Sequence, residues 1–197
     1  LINAGVYALS PEIYDYIQSE RRVSIEREVF PALVRDEKLF GYRYKGQWID
    51  VGEPSDFMKG NRMLLNSELQ KGHVAKTVNI HKEAQIINPV TIGEHTKIKG
   101  RSKIGPHVSL SDNVDIGENV RIKNSVVFPG ATILDASRVE GAIIGEKALI
   151  GKEAVVSSNC LIGDHVVIHD GVRLTRGVTV CPYKEVMESV HKAKRLM

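Results

Sequence analysis

The sequence predicts an α+β chain in two parts, a short α/β segment followed by a parallel β-solenoid of triangular coils. Three observations carry that prediction. An aliphatic residue returns every six positions through Ile80, Ile86, Ile92, Ile98, Ile104, Leu110, Ile116 and Ile122. A helix, at roughly 3.6 residues per turn, and a plain alternating strand both fail to repeat in this way, whereas stacked short strands do. Four places after each aliphatic stands a small or β-branched side chain, among them Val90, Thr96, Ser102, Val108, Val114 and Val120, which supplies a second inward position. Ahead of the repeat, Ser10-Pro11-Glu12, Ser24 and Pro54 mark helix starts between strand-like runs.

Taken in order, the chain opens with the strand-like run Leu1-Ile2-Asn3-Ala4-Gly5-Val6-Tyr7, which lacks an initiating methionine and reads as a chain entered midway. Ser10 is an N-cap, Pro11 suits a first helical turn and Glu12 an early acid, so a short helix is expected to about Ser19. Ser24 starts a second, with Glu26 near its positive end and Ile25, Val29, Phe30 and Leu33 on one face. Pro31 falls inside that pattern and should kink or restart it. Leu39 to Tyr44 reads as a strand ended by Lys45-Gly46-Gln47. Trp48-Ile49-Asp50-Val51 reads as another strand, closed by Gly52-Glu53-Pro54. The helix after Pro54 carries Phe57, Met58, Asn61, Leu64, Leu65 and Leu69 and should pack on a neighbouring sheet or on the first coil.

From Ile80 the beat continues through Phe128 and Leu134, takes two five-residue steps to Val139 and Ile144, and resumes at Ile150, Val156, Ile162, Ile168, Leu174 and Val180. Counted in threes, this gives six coils and a stack about 25 Å tall. One column then reads Ile80, Ile98, Ile116, Leu134, Ile150, Ile168, and Val126 and Thr132 take second inward positions. Glycine follows the aliphatic at Gly93, Gly105, Gly117, Gly145, Gly151 and Gly163, where a tight corner favours a residue without Cβ. The expected organisation is therefore 1–70 as an α/β segment, 71–79 as linker, 80–181 as solenoid and 182–197 as a basic capping tail.

Composition narrows the function classes. A formal charge of +3 on 197 residues, 26% of them charged, with no basic stretch interleaved with aromatics, argues against a nucleic-acid partner. No stretch reaches the length of a membrane span and no signal peptide is visible, so no membrane role is expected. Cys160 and Cys181 make no metal spacing, and an inward Cys160 fits a free thiol in a reducing cytoplasm.

Asp50 is the best chemical candidate ahead of the repeat. At the carboxyl end of its expected strand, between an aromatic and a glycine turn, it stands where α/β sheets place ligand-binding groups. Its carboxylate suits Mg²⁺, which takes only one or two protein oxygens beside substrate phosphates. The plainer reading is an Asp capping the next helix. For Asn3, likewise, the plainer reading is a turn residue bonded to its own backbone.

The repeat resembles the hexapeptide-repeat left-handed β-helix, and handedness enters through that resemblance alone. Asn3-Ala4-Gly5-Val6-Tyr7, Ser24-Ile25-Glu26-Arg27-Glu28-Val29-Phe30-Pro31 and Trp48-Ile49-Asp50-Val51-Gly52-Glu53-Pro54-Ser55-Asp56-Phe57 resemble successive blocks of the sugar-1-phosphate nucleotidylyltransferases, nearest to their mannose-1-phosphate guanylyltransferase branch. Pro182 to Val190 is similar to the segment that ends that family's β-helix. The resemblance implies a partial, Rossmann-like nucleotidyltransferase segment followed by a single-stranded left-handed β-helix. It implies that Asp50 is one of two aspartates holding a catalytic Mg²⁺, and that Asn3 and Gly5 line the sugar pocket with Trp48 nearby. The substrates implied are a sugar 1-phosphate and a nucleoside triphosphate, mannose 1-phosphate and GTP first. The family's glycine-rich nucleotide loop and its other magnesium aspartate have no counterpart here, so the chain by itself is expected to be inactive. Homo-oligomers through the β-helix faces are expected.

Two rivals stand beside this reading. Many hexapeptide-repeat proteins are acyltransferases with a histidine base; His95, His107 and His165 fall three places after an aliphatic and His81 and His169 one place after, none stacked on another. Alternatively the β-helix is a catalytically silent assembly or regulatory module.

Overall fold

The computed structural model describes residues 2–197 and resolves into two compact units, one ending at Ile49 and one running from Asp50 to Met197. Leu1, the start of the first strand-like run, lies outside the described residues.

The first unit is built from turns and short helices. Pro11–Tyr16 is a 3-10 helix, shorter than the expected helix to Ser19. Ile25–Val29 forms a π-helical turn that passes into α1, Phe30–Arg35, so the helix changes its winding one residue ahead of Pro31. Its start is held reciprocally. Ser24 Oγ accepts from Arg27 N at 3.3 Å while Glu28 Oε1 accepts from Ser24 N at 2.9 Å. Arg21 pairs with Glu28 at 2.7 Å and, as hydrogen-bond donor, holds that carboxyl below its ordinary range. Residues 39–44 and 48–51, expected as strands, form no strand and pair with nothing among the described residues. Alternation alone does not make a strand when no partner backbone lies beside it.

The second unit is a left-handed parallel β-helix with one long helix against it. Three sheets of eight, seven and six strands form its sides, and every pairing is parallel. The strands extend past both ends of residues 80–181. His73–Val74 and Asn79–Ile80 bring the expected linker into the first coil. In the expected tail, Glu185–Val186 and Arg195–Leu196 pair onto the last full coil, and Val190 bridges to Leu174. The tail thus completes the stack, leaving the apolar Val186 and Val190 inward, 6% and 7% exposed.

One part of the register departs from the sequence reading. Ile116 pairs onward with Ile133, and Ile133 with Ile150, so the column contains Ile133 where Leu134 was expected. Val127 and Ile133 are fully buried, while Phe128 and Leu134 are half-exposed. The second inward positions are accordingly Ser125 and Ala131, with Val126 and Thr132 displaced outward in the pleat. The two five-residue steps therefore run from Ile122 to Val127 and from Val139 to Ile144. Both fall at the same edge, where Asn124 N donates to Pro106 O at 2.9 Å and Gly141 N to Lys123 O at 3.0 Å.

Packing explains the glycines. Gly93, Gly117, Gly145 and Gly151 do not adopt positive φ; the left-handed corner residues include His95, Asn113, Asn119, Ala136, Lys147, Glu153, Asn159 and His165. At each of those four glycines the next coil comes too close for a Cβ, which at Gly117 would lie 2.7 Å from Asp135 N and at Gly151 2.6 Å from Asp170 N. The approaching aspartates bond to the coil before. Asp112 Oδ1 accepts from Glu94 N at 2.7 Å, Asp135 from Glu118 N at 2.8 Å, Asp164 from Glu146 N at 2.8 Å and Asp170 from Lys152 N at 2.7 Å. Inside, Ser102 Oγ donates to Gly117 O at 2.7 Å and accepts from Val120 N at 3.0 Å, which satisfies a buried hydroxyl in both roles.

The helix α2, Pro54–Ser67, lies against the eight-stranded sheet. Phe57 stacks on Phe128 with ring centroids 6.0 Å apart, Ser109 Oγ donates to Asn61 Oδ1 at 2.7 Å, and Leu65 is buried. Leu64 stays 47% exposed, so the buried face is narrower than the apolar stripe.

Candidate functional site

The first unit gathers one polar cluster. Asn3 Nδ2 donates to Tyr7 Oη at 2.8 Å and to Glu26 Oε1 at 3.2 Å, and Tyr7 Oη donates to the same carboxylate oxygen at 2.7 Å. Asn3 Oδ1 accepts from Gly5 N at 2.8 Å, a local turn in which Gly5 takes φ +71°, a conformation favouring glycine. The backbone-bonded turn and the outward-facing amide therefore coexist in Asn3. Trp48 Nε1 donates to Ala4 O at 3.2 Å and draws the indole beside this turn, and Tyr7 meets Phe30 edge-on at 4.8 Å. A concavity of about 540 Å³ opens here, with Asn3, Ala4, Tyr7, Phe30, Tyr42 and Trp48 in its wall.

This cluster brings together Asn3, Gly5 and Trp48 and adds Tyr7 and Glu26. Those two were not singled out from the sequence, although both lie in the blocks that carried the resemblance. The hydrogen bond from Tyr7 to Glu26 pushes the phenol above its ordinary pKa, so it stays protonated and donating. An amide, a phenol and a carboxylate beside an aromatic wall form a surface able to donate to, accept from and stack on a polyhydroxylated ligand.

Asp50 begins the second unit, exposed and outside any helix or strand. It does not cap α2 either, since Glu53 holds the cap position and contributes no side-chain bond there. Among the described residues no three His, Cys, Asp or Glu side chains gather as a metal site. One exposed carboxylate still fits an ion that takes only one or two oxygens from protein.

The histidines are held singly. His107 Nε2 lies 2.7 Å from Asn66 Oδ1, His165 stacks on Tyr183 at 4.7 Å, and His169 Nε2 lies 3.5 Å from Glu185 Oε2. Cys160 is buried, its Sγ donating to Thr175 O at 3.1 Å, and Cys181 is half-buried; both are free thiols. No helix among the described residues is long and apolar enough to cross a membrane.

Comparison with known proteins adds a second line of observation. A family model described as nucleotidyl transferase matches residues 1–67, and one described as the GMPPB C-terminal domain matches residues 86–196. A mannose-1-phosphate guanyltransferase of Eremothecium gossypii is 42% identical over 99 residues, covering 50% of this chain and 26% of its own. The enzyme of the same name from Saccharomyces cerevisiae is 47% identical over 66 residues, 34% of this chain and 18% of its own. A probable mannose-1-phosphate guanylyltransferase 3 of Arabidopsis thaliana is 42% identical over 93 residues, 43% of this chain and 28% of its own. The chain thus spans about a quarter of the length of the curated relatives it matches. Among solved structures, the acetyltransferase domain of PglB from Neisseria gonorrhoeae is 20% identical, covering 53% of this chain and 54% of that one at a TM-score of 0.49. By sequence, α2 falls within the nucleotidyl transferase match; by contact, it belongs with the β-helix.

Proposed function

The chain belongs to the family of the GMPPB C-terminal domain, and from that premise we propose that it forms the carboxyl-terminal part of a mannose-1-phosphate guanylyltransferase. The observation that carries this reading is the succession of the two family matches on one chain, nucleotidyl transferase and then GMPPB C-terminal domain. The reaction is attack by a phosphate oxygen of mannose 1-phosphate on the α-phosphorus of GTP. A new P–O bond forms, the bond between the α-phosphorus and its bridging oxygen breaks, and diphosphate leaves.

Asn3, with Tyr7 and Glu26 behind it, orients sugar hydroxyls; Gly5 lets the backbone come close, and Trp48 offers the aromatic wall. Asp50 holds Mg²⁺, which when bound neutralises charge on the phosphates. We place the protein in the cytoplasm, in keeping with its two free thiols, and assign the broad β-helix faces to contacts between copies.

The test uses the whole protein that carries this chain, assayed for Mg²⁺-dependent diphosphate release from mannose 1-phosphate with GTP, UTP or dTTP. Turnover should select GTP and fall by about 10²-fold or more in Asp50→Asn, with Asn3→Ala chiefly raising KM for the sugar phosphate. Turnover indifferent to Asp50→Asn would remove the metal role, and absence of turnover with every pair would remove the enzyme reading.

A further inference from the structure

The six-stranded sheet carries a charge pattern that the proposed reaction does not use. Its outward positions stack in register as Gln85, Lys103, Arg121, Arg138, Val155 and Arg173. Four cations thus occupy one column of a parallel sheet, where neighbouring rungs lie about 4.8 Å apart. All four are exposed, and among the described residues none forms an ion pair. Of the nearby acids, Glu118 is engaged with Arg101 at 2.5 Å and Glu140 with Lys123 at 2.7 Å, whereas Glu153 forms no ion pair among the described residues. Like charges stacked on one face oppose the fold, and an anion laid over them relieves that repulsion.

The column is also shaped. Val155 interrupts it with a short side chain, and a depression of about 300 Å³ opens there, walled by Arg121, Arg138 and Arg173 together with Asn119, Ala136 and Glu153. Arg138 and Arg173 stand two rungs apart, about 10 Å between backbones. Two linked phosphates are shorter than this backbone spacing, and the long arginine side chains, converging over the short Val155, reach them with one guanidinium fork each. Glu153 is the carboxylate in the wall, so a multiply charged ligand gains more from three cations than it loses to one acid.

We infer that this face of the β-helix is a binding site for a diphosphate group, with Arg121, Arg138 and Arg173 as its donors. The group can come as free diphosphate or as the diphosphate of a nucleotide. The inference is independent of the proposed activity, because binding is read without turnover.

Calorimetric titration of the chain with inorganic diphosphate, and separately with GDP, at constant ionic strength tests it. Saturable 1:1 binding is expected, weakened about tenfold in Arg138→Gln and unchanged in Lys184→Gln, which lies off this face. Equal affinity for diphosphate and GDP assigns the site to the free anion; tighter GDP binding that is still lost in Arg138→Gln assigns it to the nucleotide. Absence of saturable binding, equal weakening in Lys184→Gln, or binding of a long polyanion such as heparin without binding of diphosphate would overturn it.

Discussion

The two units place their apolar side chains in opposite ways. From Asp50 onward the sixfold aliphatics close a core in which Ile104, Ile133, Ile150 and Ile168 are fully shielded. In the unit ending at Ile49, Val29 and Leu33 are the buried hydrophobics among the described residues, while Phe40 is 89% exposed, Tyr42 92% and Val6 82%. Hydrophobic content is not what separates them. A solenoid coil meets its own pattern again one coil later, so each strand finds both a backbone partner and a covered face within the same chain. The first unit has apolar alternation at residues 39–44 without a strand beside it. Periodicity becomes structure only where the chain supplies the matching surface.

The sharpest way to break this contrast is truncation in each unit. Ile116→Ala should cost about 2–5 kcal/mol in denaturant unfolding of the β-helix, whereas Phe40→Ala should stay within about 0.5 kcal/mol. Equal losses would mean that Phe40 is packed as tightly as Ile116. A middle-sized effect comes from glycines. Gly117→Ala forces a Cβ against the backbone of Asp135 and should cost about 1–3 kcal/mol. Gly41→Ala, with nothing within 4 Å, should leave the unfolding midpoint in place. If both behave alike, the close approach of coils is not what selects glycine.

The smallest effect sharpens the picture of the core. Burial pushes the Cys160 thiol above its ordinary value of 9.0. An alkylating reagent near neutral pH should therefore label Cys181 and spare Cys160 until the chain is unfolded. The sign of the linkage follows. The contribution of Cys160 is complete below pH 9.0 and is lost as pH rises beyond it, because the unfolded chain gives up a proton that the folded one keeps. Wild type should lose more stability than Cys160→Ala between about pH 8 and about pH 10.

The β-helix was legible because its beat is long and its inward residues are aliphatic. Its register between Lys123 and Arg138 was not. Val126-Val127-Phe128 and Thr132-Ile133-Leu134 each offer adjacent residues able to face inward, and only stacking on Leu110 and Ile116 decides between them. The glycine requirement was visible, but its cause was not, since Gly117 answers to an aspartate 18 residues later. In the candidate site, Asn3, Gly5 and Trp48 came from block resemblance, and Tyr7 and Glu26 needed coordinates because their hydrogen bond joins two blocks. The pattern Trp48-Ile49-Asp50-Val51 predicts a strand behind Asp50, and no pairing partner among the described residues fulfils it.

The two five-residue steps have a consequence for inheritance. Both remove a residue at the same edge, at Asn124 and Gly141 in successive coils, and the columns Ile116, Ile133, Ile150 and Ile122, Val139, Val156 remain aligned across them. That edge absorbs a codon lost or gained in frame without moving a core side chain. At the corner between Ile116 and Ile122 the step keeps six residues, as at its counterparts from Ile98 to Ile104, Ile133 to Val139 and Ile150 to Val156. Length therefore varies along one line of the protein inside the stack, and along a second where the stack ends, at the four-residue step from Val186 to Val190.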